Sequence, residues 1–158
     1  MKAVIQRVLF ASVSVDGNVV GECGHGYMIL LGVMDGDTKK EAETLAAKTA
    51  RLRVFEDENE KMNLSVLDID GEVLCISQFT LCADVKKGNR PSFTPSAAPD
   101  IANELYEYFV ECLKKEGIKK VDKGVFGADM KVDLRNDGPF TILLDSDEIF
   151  PSRSKNPA

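Results

Sequence analysis

The sequence predicts a single α/β domain: a mixed, largely antiparallel β-sheet, partly barrel-like, with two main helices packed outside it. Three observations carry this. β-rich segments are joined by two-residue turn signals, Asp16-Gly17 and Asp70-Gly71, which return the chain to an antiparallel neighbour. Two stretches, starting near Thr38 and Pro99, show helical periodicity bounded by start and stop residues. No interior linker divides the 158 residues, a length that lets one domain bury about two-thirds of its unfolded surface. A doubly wound parallel sheet fits poorly, because too many strands connect by short turns.

Taken in order, Met1-Lys2-Ala3-Val4-Ile5-Gln6-Arg7 opens a strand rather than a signal peptide, since polar residues interrupt it and no cleavage pattern follows. The β-rich run to Val15 turns at Asp16-Gly17 into Asn18-Val19-Val20. Residues 27–33 are almost wholly apolar, as in a central strand covered on both faces. Thr38-Lys39-Lys40-Glu41 has capping-box spacing. Ala42, Leu45, Ala46, Thr49 and Leu52 then form one stripe of a helix ending near Arg53. Asp70-Gly71 is read as turning 64–69 back into a strand over 72–81. Pro99 suits the first turn of a second helix, where its missing N–H would be unpaired anyway. Ile101, Leu105, Tyr108 and Cys112 are its expected buried stripe, and Gly117 its left-handed stop. Met130, Val132 and Leu134 alternate with Lys131, Asp133 and Arg135 as a strand with one wet face, and 140–144 closes the core. The domain is assigned to 1–149, with a polar, frayed tail over 150–158.

The net charge of −6 argues against a broad basic face that coats nucleic acid, yet leaves room for contact with one RNA end. The best basic cluster, Lys86-Lys87-Gly88-Asn89-Arg90, is on pattern alone either a solvated loop or a phosphate contact. No apolar run approaches the ~18 residues of a bilayer span, and a cytoplasmic location is expected. Cys23, Cys75, Cys82 and Cys112 are widely spaced without a Cys-x-x-Cys pair, and read as small buried hydrophobes rather than disulfides or zinc ligands. His25, in Gly24-His25-Gly26, reads as a turn residue. There is no Gly-x-Ser-x-Gly elbow, Walker loop or dinucleotide fingerprint.

Three segments look over-specified for structure alone. Ser77-Gln78-Phe79-Thr80-Leu81 puts hydroxyls and an amide at the end of an apolar strand, where they either line a pocket or finish a strand edge. Asn89-Arg90-Pro91-Ser92-Phe93 sets a cation and an aromatic ring after a flexible glycine, a combination able to hold a nucleotide by phosphate pairing and stacking. Asn136-Asp137-Gly138-Pro139-Phe140-Thr141 is a turn between strands, and pattern alone favours a tight hairpin with an X-Pro bond.

Together these segments resemble the D-aminoacyl-tRNA deacylase family of bacterial and eukaryotic type. The resemblance begins at Ala3-Val4-Ile5-Gln6-Arg7-Val8 and runs through Ala11-Ser12-Val13, Val19-Val20-Gly21, Ser77-Gln78-Phe79-Thr80-Leu81 and Gly88-Asn89-Arg90-Pro91-Ser92-Phe93. It continues through Gly124-Val125-Phe126-Gly127-Ala128-Asp129-Met130 to Asn136-Asp137-Gly138-Pro139-Phe140-Thr141. It covers about residues 1–149. Phe140 departs from the smaller aliphatic residue expected there.

The resemblance implies hydrolysis of the ester between a D-amino acid and its tRNA, and of glycyl-tRNA as well. The implied partners are a second copy of the chain and the acceptor end of aminoacyl-tRNA, with no membrane, DNA, cofactor or metal. Gly138-Pro139 is the implied cis turn, acting in the partner's site and rejecting L side chains with backbone atoms. Arg7 is the implied support of that turn. Ser77, Gln78, Phe79 and Thr80 are the implied catalytic segment, with the N–H groups around Phe79 and Thr80 as oxyanion donors. Arg90 and Phe93 are assigned to the tRNA end. Thr80 is either a nucleophile, with no base near it in sequence, or a positioning group beside a tRNA 2′-hydroxyl that activates water. A non-enzymatic RNA-end module and a thiol hydrolase are the readings from other classes; the latter needs a low-pKa cysteine.

Overall fold

The structure, a computed structural model, describes residues 1–149; the tail assigned to 150–158 lies outside the described residues. Its spine is β1 (Lys2–Val15). One edge of β1 pairs antiparallel first with β3 (Gly26–Gly32) and then with β2 (Asn18–Cys23), while the other edge takes β8 (Lys131–Asp145) along nearly its whole length. The β1–β2 connection has positive φ at both Asp16 (50°) and Gly17 (81°), the requirement of the two-residue hairpin read from Asp-Gly. Beyond β3 lie β6 (Glu72–Ser77) and β7 (Val121–Lys123), both paired parallel. The far edges then approach each other. The N–H of Glu22 donates to Asp122 Oδ2 at 3.0 Å. A Cβ on Gly21 would stand 2.5 Å from the Lys123 carbonyl oxygen, so only glycine lets β2 and β7 come this close. The sheet is a nearly closed barrel of mixed strands, as the sequence predicts.

The apolar run of β3 is buried on both faces because it divides two cores. Tyr27, Ile29 and Leu31 face the larger one, under the helices. Met28 and Leu30 face the barrel interior with Val8, Val13, Leu74 and Ile76. Each such aliphatic side chain contributes about 1.5–3 kcal/mol by leaving water. Helix α1 (Lys39–Arg51) carries the full capping box at Thr38 and Glu41 and buries Ala42, Leu45, Ala46, Thr49 and Ala50. Helix α2 (Pro99–Lys115) starts with Pro99 in its first turn, and Gly117 beyond its end has φ 112°.

The structure corrects four readings. The buried stripe of α2 is Ala102, Leu105, Tyr106, Phe109, Val110, Cys112 and Leu113, so only Leu105 and Cys112 of the expected set are fully buried. Ile101 is exposed, and Tyr108 is only half-buried: its ring packs against the edge of the core while its hydroxyl bonds to Glu43 and Lys39 Nζ stands 5.0 Å from its ring centre. A tyrosine at the border of an apolar stripe can bury its ring and still lead its polar tip out to solvent. Residues 65–69 are not a strand. After β5 (Met62–Leu64), which pairs with β4 (Phe55–Glu56), Ser65 and Asp68 cap each other's N–H groups at 2.8 and 3.2 Å, and this local bonding outcompetes a ladder. The strand expected over 72–81 ends at Ser77, and Phe79–Cys82 forms a 3-10 turn.

The fourth correction concerns 136–141. The chain does not reverse there: β8 pairs antiparallel with β1 on both sides, Thr141 opposite Gln6 and Asn136 opposite Val8. Residues 137–140 therefore stand against Arg7 alone, as a multi-residue bulge in one long strand.

Candidate active site

Three pieces of chain wall a cleft of about 680 Å³, within the range of small-ligand sites. The first is the end of β6 and the turn after it: Ile76, Ser77, Gln78 and Phe79. The second is Phe93, Ser96, Ala97 and the start of α2. The third is the loop from β7 to β8: Phe126, Gly127, Ala128, Asp129 and Met130. Bonds from Asp35 N–H to the Pro95 carbonyl (2.8 Å) and from Ala97 N–H to the Val33 carbonyl (3.0 Å) fix the second wall against the end of β3.

The most informative feature is the backbone at the strand end. Gln78 N–H still donates to the Leu31 carbonyl at 2.8 Å, and Leu81 N–H donates back to Gln78. The N–H groups of Phe79 and Thr80 between them have no internal acceptor among the described residues. These are the first orphan donors of a helical turn, and Phe79 itself lines the cleft. The Thr80 hydroxyl accepts from Gln78 Nε2 at 2.5 Å; among the described residues this is its one side-chain hydrogen bond, and no histidine, lysine or carboxylate bonds to it. Thr80 is not among the residues lining the cleft.

Of the pair assigned to an RNA end, only Phe93 lines the cleft, its ring edge-on to Phe79 with centres 4.9 Å apart. Arg90 lies outside, on an exposed loop.

The bulge at 137–140 is a separate construction. Arg7, 9% exposed, donates from Nε to the Asp137 carbonyl at 2.9 Å and from Nη1 to the Val54 carbonyl at 2.6 Å. Its guanidinium lies 4.5 Å from the centre of the Phe140 ring, so the aromatic residue that departs from the expected aliphatic gives the buried cation a π face. Asn136 closes the bulge from within: its Nδ2 donates to the Phe140 carbonyl at 2.9 Å and its Oδ1 accepts the Phe140 N–H at 2.6 Å. Gly138-Pro139 is cis and exposed. A Cβ on Gly138 would stand 2.5 Å from Phe140 N. No part of 136–141 lines the cleft of its own chain. The structure thus brings Ser77, Gln78, Phe79 and Phe93 together, and Arg7, Gly138 and Pro139 together, but not the two groups.

Sequence reasoning missed Asn136 as the brace of the bulge, Val54 as the second acceptor for Arg7, and Met130 and Phe126 as cleft wall. The signal for Asn136 was its amide four residues before Phe140, able to imitate a backbone pair; Val54 carries none, since it contributes only a carbonyl.

All four cysteines are buried. Burial, with Glu72 adding to it, pushes the Cys23 thiol up to about 11, and burial raises Cys75, Cys82 and Cys112 as well. None is the low-pKa nucleophile a thiol hydrolase needs. Among the described residues no group of three His, Cys, Asp or Glu side chains is arranged to hold a metal ion, and no helix is long and apolar enough to cross a membrane.

Comparison with known proteins gives a consistent picture. A family model described as D-Tyr-tRNA(Tyr) deacylase matches residues 4–145. The D-aminoacyl-tRNA deacylase of Koribacter versatilis is 56% identical over 150 residues, 95% of this chain and 100% of that protein. The enzyme of the same name from Thermosipho melanesiensis is 53% identical with the same coverage. A solved structure titled c-Myc DNA Unwinding Element Binding Protein superposes with a TM-score of 0.87 at 46% identity, covering 92% of this chain and 98% of its own. A second, of a probable eukaryotic D-amino acid tRNA deacylase, shares the fold with a TM-score of 0.78 at 18% identity, over 90% of this chain and 97% of its own.

Proposed function

Because the chain belongs to the D-Tyr-tRNA(Tyr) deacylase family, we propose that its cleft binds the aminoacylated end of tRNA and that the backbone at Phe79 and Thr80 serves the reaction. The protein is a hydrolase that cleaves the ester of D-aminoacyl-tRNA. One observation carries the assignment of the site: two adjacent N–H groups without an internal acceptor, at the edge of a largely apolar cleft.

Water attacks the ester carbonyl carbon, and the negative charge that develops on the carbonyl oxygen is met by the N–H groups of Phe79 and Thr80. Donors held in place before reaction cost no reorganisation when the charge appears. The carbon–oxygen bond to the ribose then breaks, the ribose oxygen takes a proton, and free D-amino acid and tRNA leave. The Thr80 hydroxyl is a positioning group: it already accepts from Gln78 and has no base to remove its proton. The terminal 2′-hydroxyl of the tRNA orients and activates the water, while the protein supplies geometry, which for an already activated ester is worth much of the rate.

Chirality is read by the bulge of a second copy. Gly138 and Pro139 are exposed and remote from their own cleft's lining. Leu143, 60% exposed on the same strand, and Phe10, 46% exposed on β1, supply apolar surface for a subunit contact. In such a homodimer the turn backbone enters the partner's cleft, accepts bonds from the α-amino group of a D substrate and excludes an L side chain. Glycyl esters pass this filter because they present no side chain to reject. The enzyme works in the cytoplasm, where charged tRNA is used.

The deciding experiment incubates the enzyme, with chelator present, with D-tyrosyl-tRNA and with L-tyrosyl-tRNA and follows release of amino acid. Cleavage of the D ester with survival of the L ester is expected. Binding without turnover would instead indicate an RNA-end module, and equal cleavage of both would remove the chiral role of the bulge.

A further inference from the structure

The separation of Phe93 from Arg90 has a consequence for how the polymer is held. The loop between the 3-10 turn and Phe93 is closed at its base by two reciprocal backbone bonds, Asp84 N–H to the Ser92 carbonyl at 2.7 Å and Ser92 N–H to the Asp84 carbonyl at 2.9 Å. Asp84 Oδ1 accepts the Lys86 N–H at 3.0 Å, so the acidic side chain at the root is used to shape the loop. Gly88 at the tip has φ 63° and open space around it. Residues 85–91 between the closing pair are all exposed, and they hold three cations and no acid: Lys86, Lys87 and Arg90. Among the described residues none of the three makes an ion pair, although Lys114, Lys119, Lys120 and Lys123 elsewhere each have a carboxylate partner. The chain leaves this loop directly into Phe93 on the cleft wall. A cationic projection is thus rooted beside the mouth of a cleft that itself offers no cation to a phosphate.

On the functional reading above, we propose that residues 84–92 form a cationic finger that docks the RNA sugar–phosphate backbone just behind the scissile nucleotide, on phosphates outside the cleft. The cleft takes the aminoacylated nucleoside by stacking and backbone bonds, and the finger takes the chain that leads to it. This explains how a chain with net charge −6 engages a polyanion: three cations with no acid among them stand together in one exposed loop, where the single strand emerges. Recognition there is by charge and is indifferent to base sequence.

The test compares two substrates, a D-aminoacyl-tRNA and the corresponding D-aminoacyl-adenosine, which lacks every upstream phosphate. For Lys86→Gln/Lys87→Gln/Arg90→Gln the ratio of kcat/KM on tRNA to kcat/KM on the nucleoside should fall about 10- to 100-fold at low salt. The slope of log(kcat/KM) on tRNA against log[salt] should flatten by about 2, at roughly 0.7 per lost single-strand phosphate contact. An unchanged ratio and slope, with the nucleoside still hydrolysed, would overturn the finger while leaving the cleft assignment standing. Failure of the unaltered enzyme on both substrates would overturn the cleft reading and the finger with it. Duplex DNA that competes as well as uncharged tRNA would overturn the assignment to an RNA end in favour of general nucleic-acid docking.

Discussion

The strand end at Ser77–Thr80 and the bulge at 137–140 interrupt the same barrel, yet they are finished in opposite ways. At the first, backbone bonding simply stops: Gln78 still bonds to Leu31, and the next two N–H groups have no internal acceptor among the described residues. At the second, the interruption is tied from both sides, by Arg7 through the Asp137 carbonyl and by Asn136 through both backbone groups of Phe140. A site that must stabilise charge appearing during a reaction keeps donors unspent. One that must refuse a shape needs atoms that cannot move aside, and half-buried, reciprocal hydrogen bonds supply that stiffness. The difference fits the proposed division of labour, in which the cleft serves chemistry and the bulge selection.

The strongest way to break this contrast is Gly138→Ala. The added Cβ would lie 2.5 Å from Phe140 N and 2.9 Å from Phe140 Cβ, so the bulge must shift. Misplacement of about an ångström in a positioning element lowers rates by roughly 100-fold. Single-turnover deacylation of D-tyrosyl-tRNA should fall by about that factor while circular dichroism reports an intact fold. Nearly full activity would mean the bulge is not rigidly used.

Next comes the chemistry at the strand end. Thr80→Ala should keep at least about a tenth of the rate, with no acyl-enzyme on rapid quenching. A tRNA ending in 2′-deoxyadenosine should lose more, on the order of 100-fold or beyond, the scale of a lost acid–base participant. A trapped ester on Thr80 would reverse the roles of the two hydroxyls.

A smaller effect sharpens the other side. Arg7→Lys keeps the charge but cannot reproduce the fork that spans the Asp137 and Val54 carbonyls. The bulge should loosen rather than collapse, so hydrolysis of L-tyrosyl-tRNA should rise relative to D by about tenfold, read as the ratio of the two kcat/KM values. An unchanged ratio accompanied by lower stability would make Arg7 purely structural.

Much of this was legible in the sequence, for identifiable reasons. Asp16-Gly17, Thr38 with Glu41, and Pro99 act through local backbone chemistry, and each does in the structure what its residue type dictates. The two-faced burial of 27–33 follows from its composition alone. The failures lie where longer-range pairing decides. Gly138-Pro139 looks like a hairpin until β1 is seen to pair on both sides of it. The α2 stripe slipped because Tyr108 is apolar in pattern but reaches solvent and Glu43. The structure sorts the candidate residues into two groups, Ser77, Gln78 and Phe79 with Phe93, and Arg7 with Gly138 and Pro139; pattern could not reveal that Arg90 parts from Phe93, or that Val54 acts through its carbonyl.

The smallest predicted effect concerns the shelf behind Arg7. Tyr27 is fully buried with its hydroxyl unpartnered among the described residues, directly across from Arg7 in the β1–β3 ladder. Tyr27→Phe removes an unsatisfied polar atom and should raise stability by about 1 kcal/mol in urea unfolding. A loss of stability would show that the hydroxyl is bonded to the Arg7 group after all.

The central claim is that cleft and bulge meet only across two copies of the chain, and a mixed dimer tests it most directly. One chain carries Gly138→Ala together with Phe79→Pro, which deletes a candidate oxyanion donor at the first position of a turn, where proline is tolerated, after a Gln78 already outside the helical region at φ −140°, ψ 84°. It is paired with an unaltered chain through distinguishable tags and purified as the heterodimer. If the bulge acts on the partner, the intact cleft receives the defective bulge and the intact bulge meets the defective cleft. Activity should then fall to a few per cent of the unaltered dimer. Retention of about half would mean that each chain serves its own cleft, and would contradict the account.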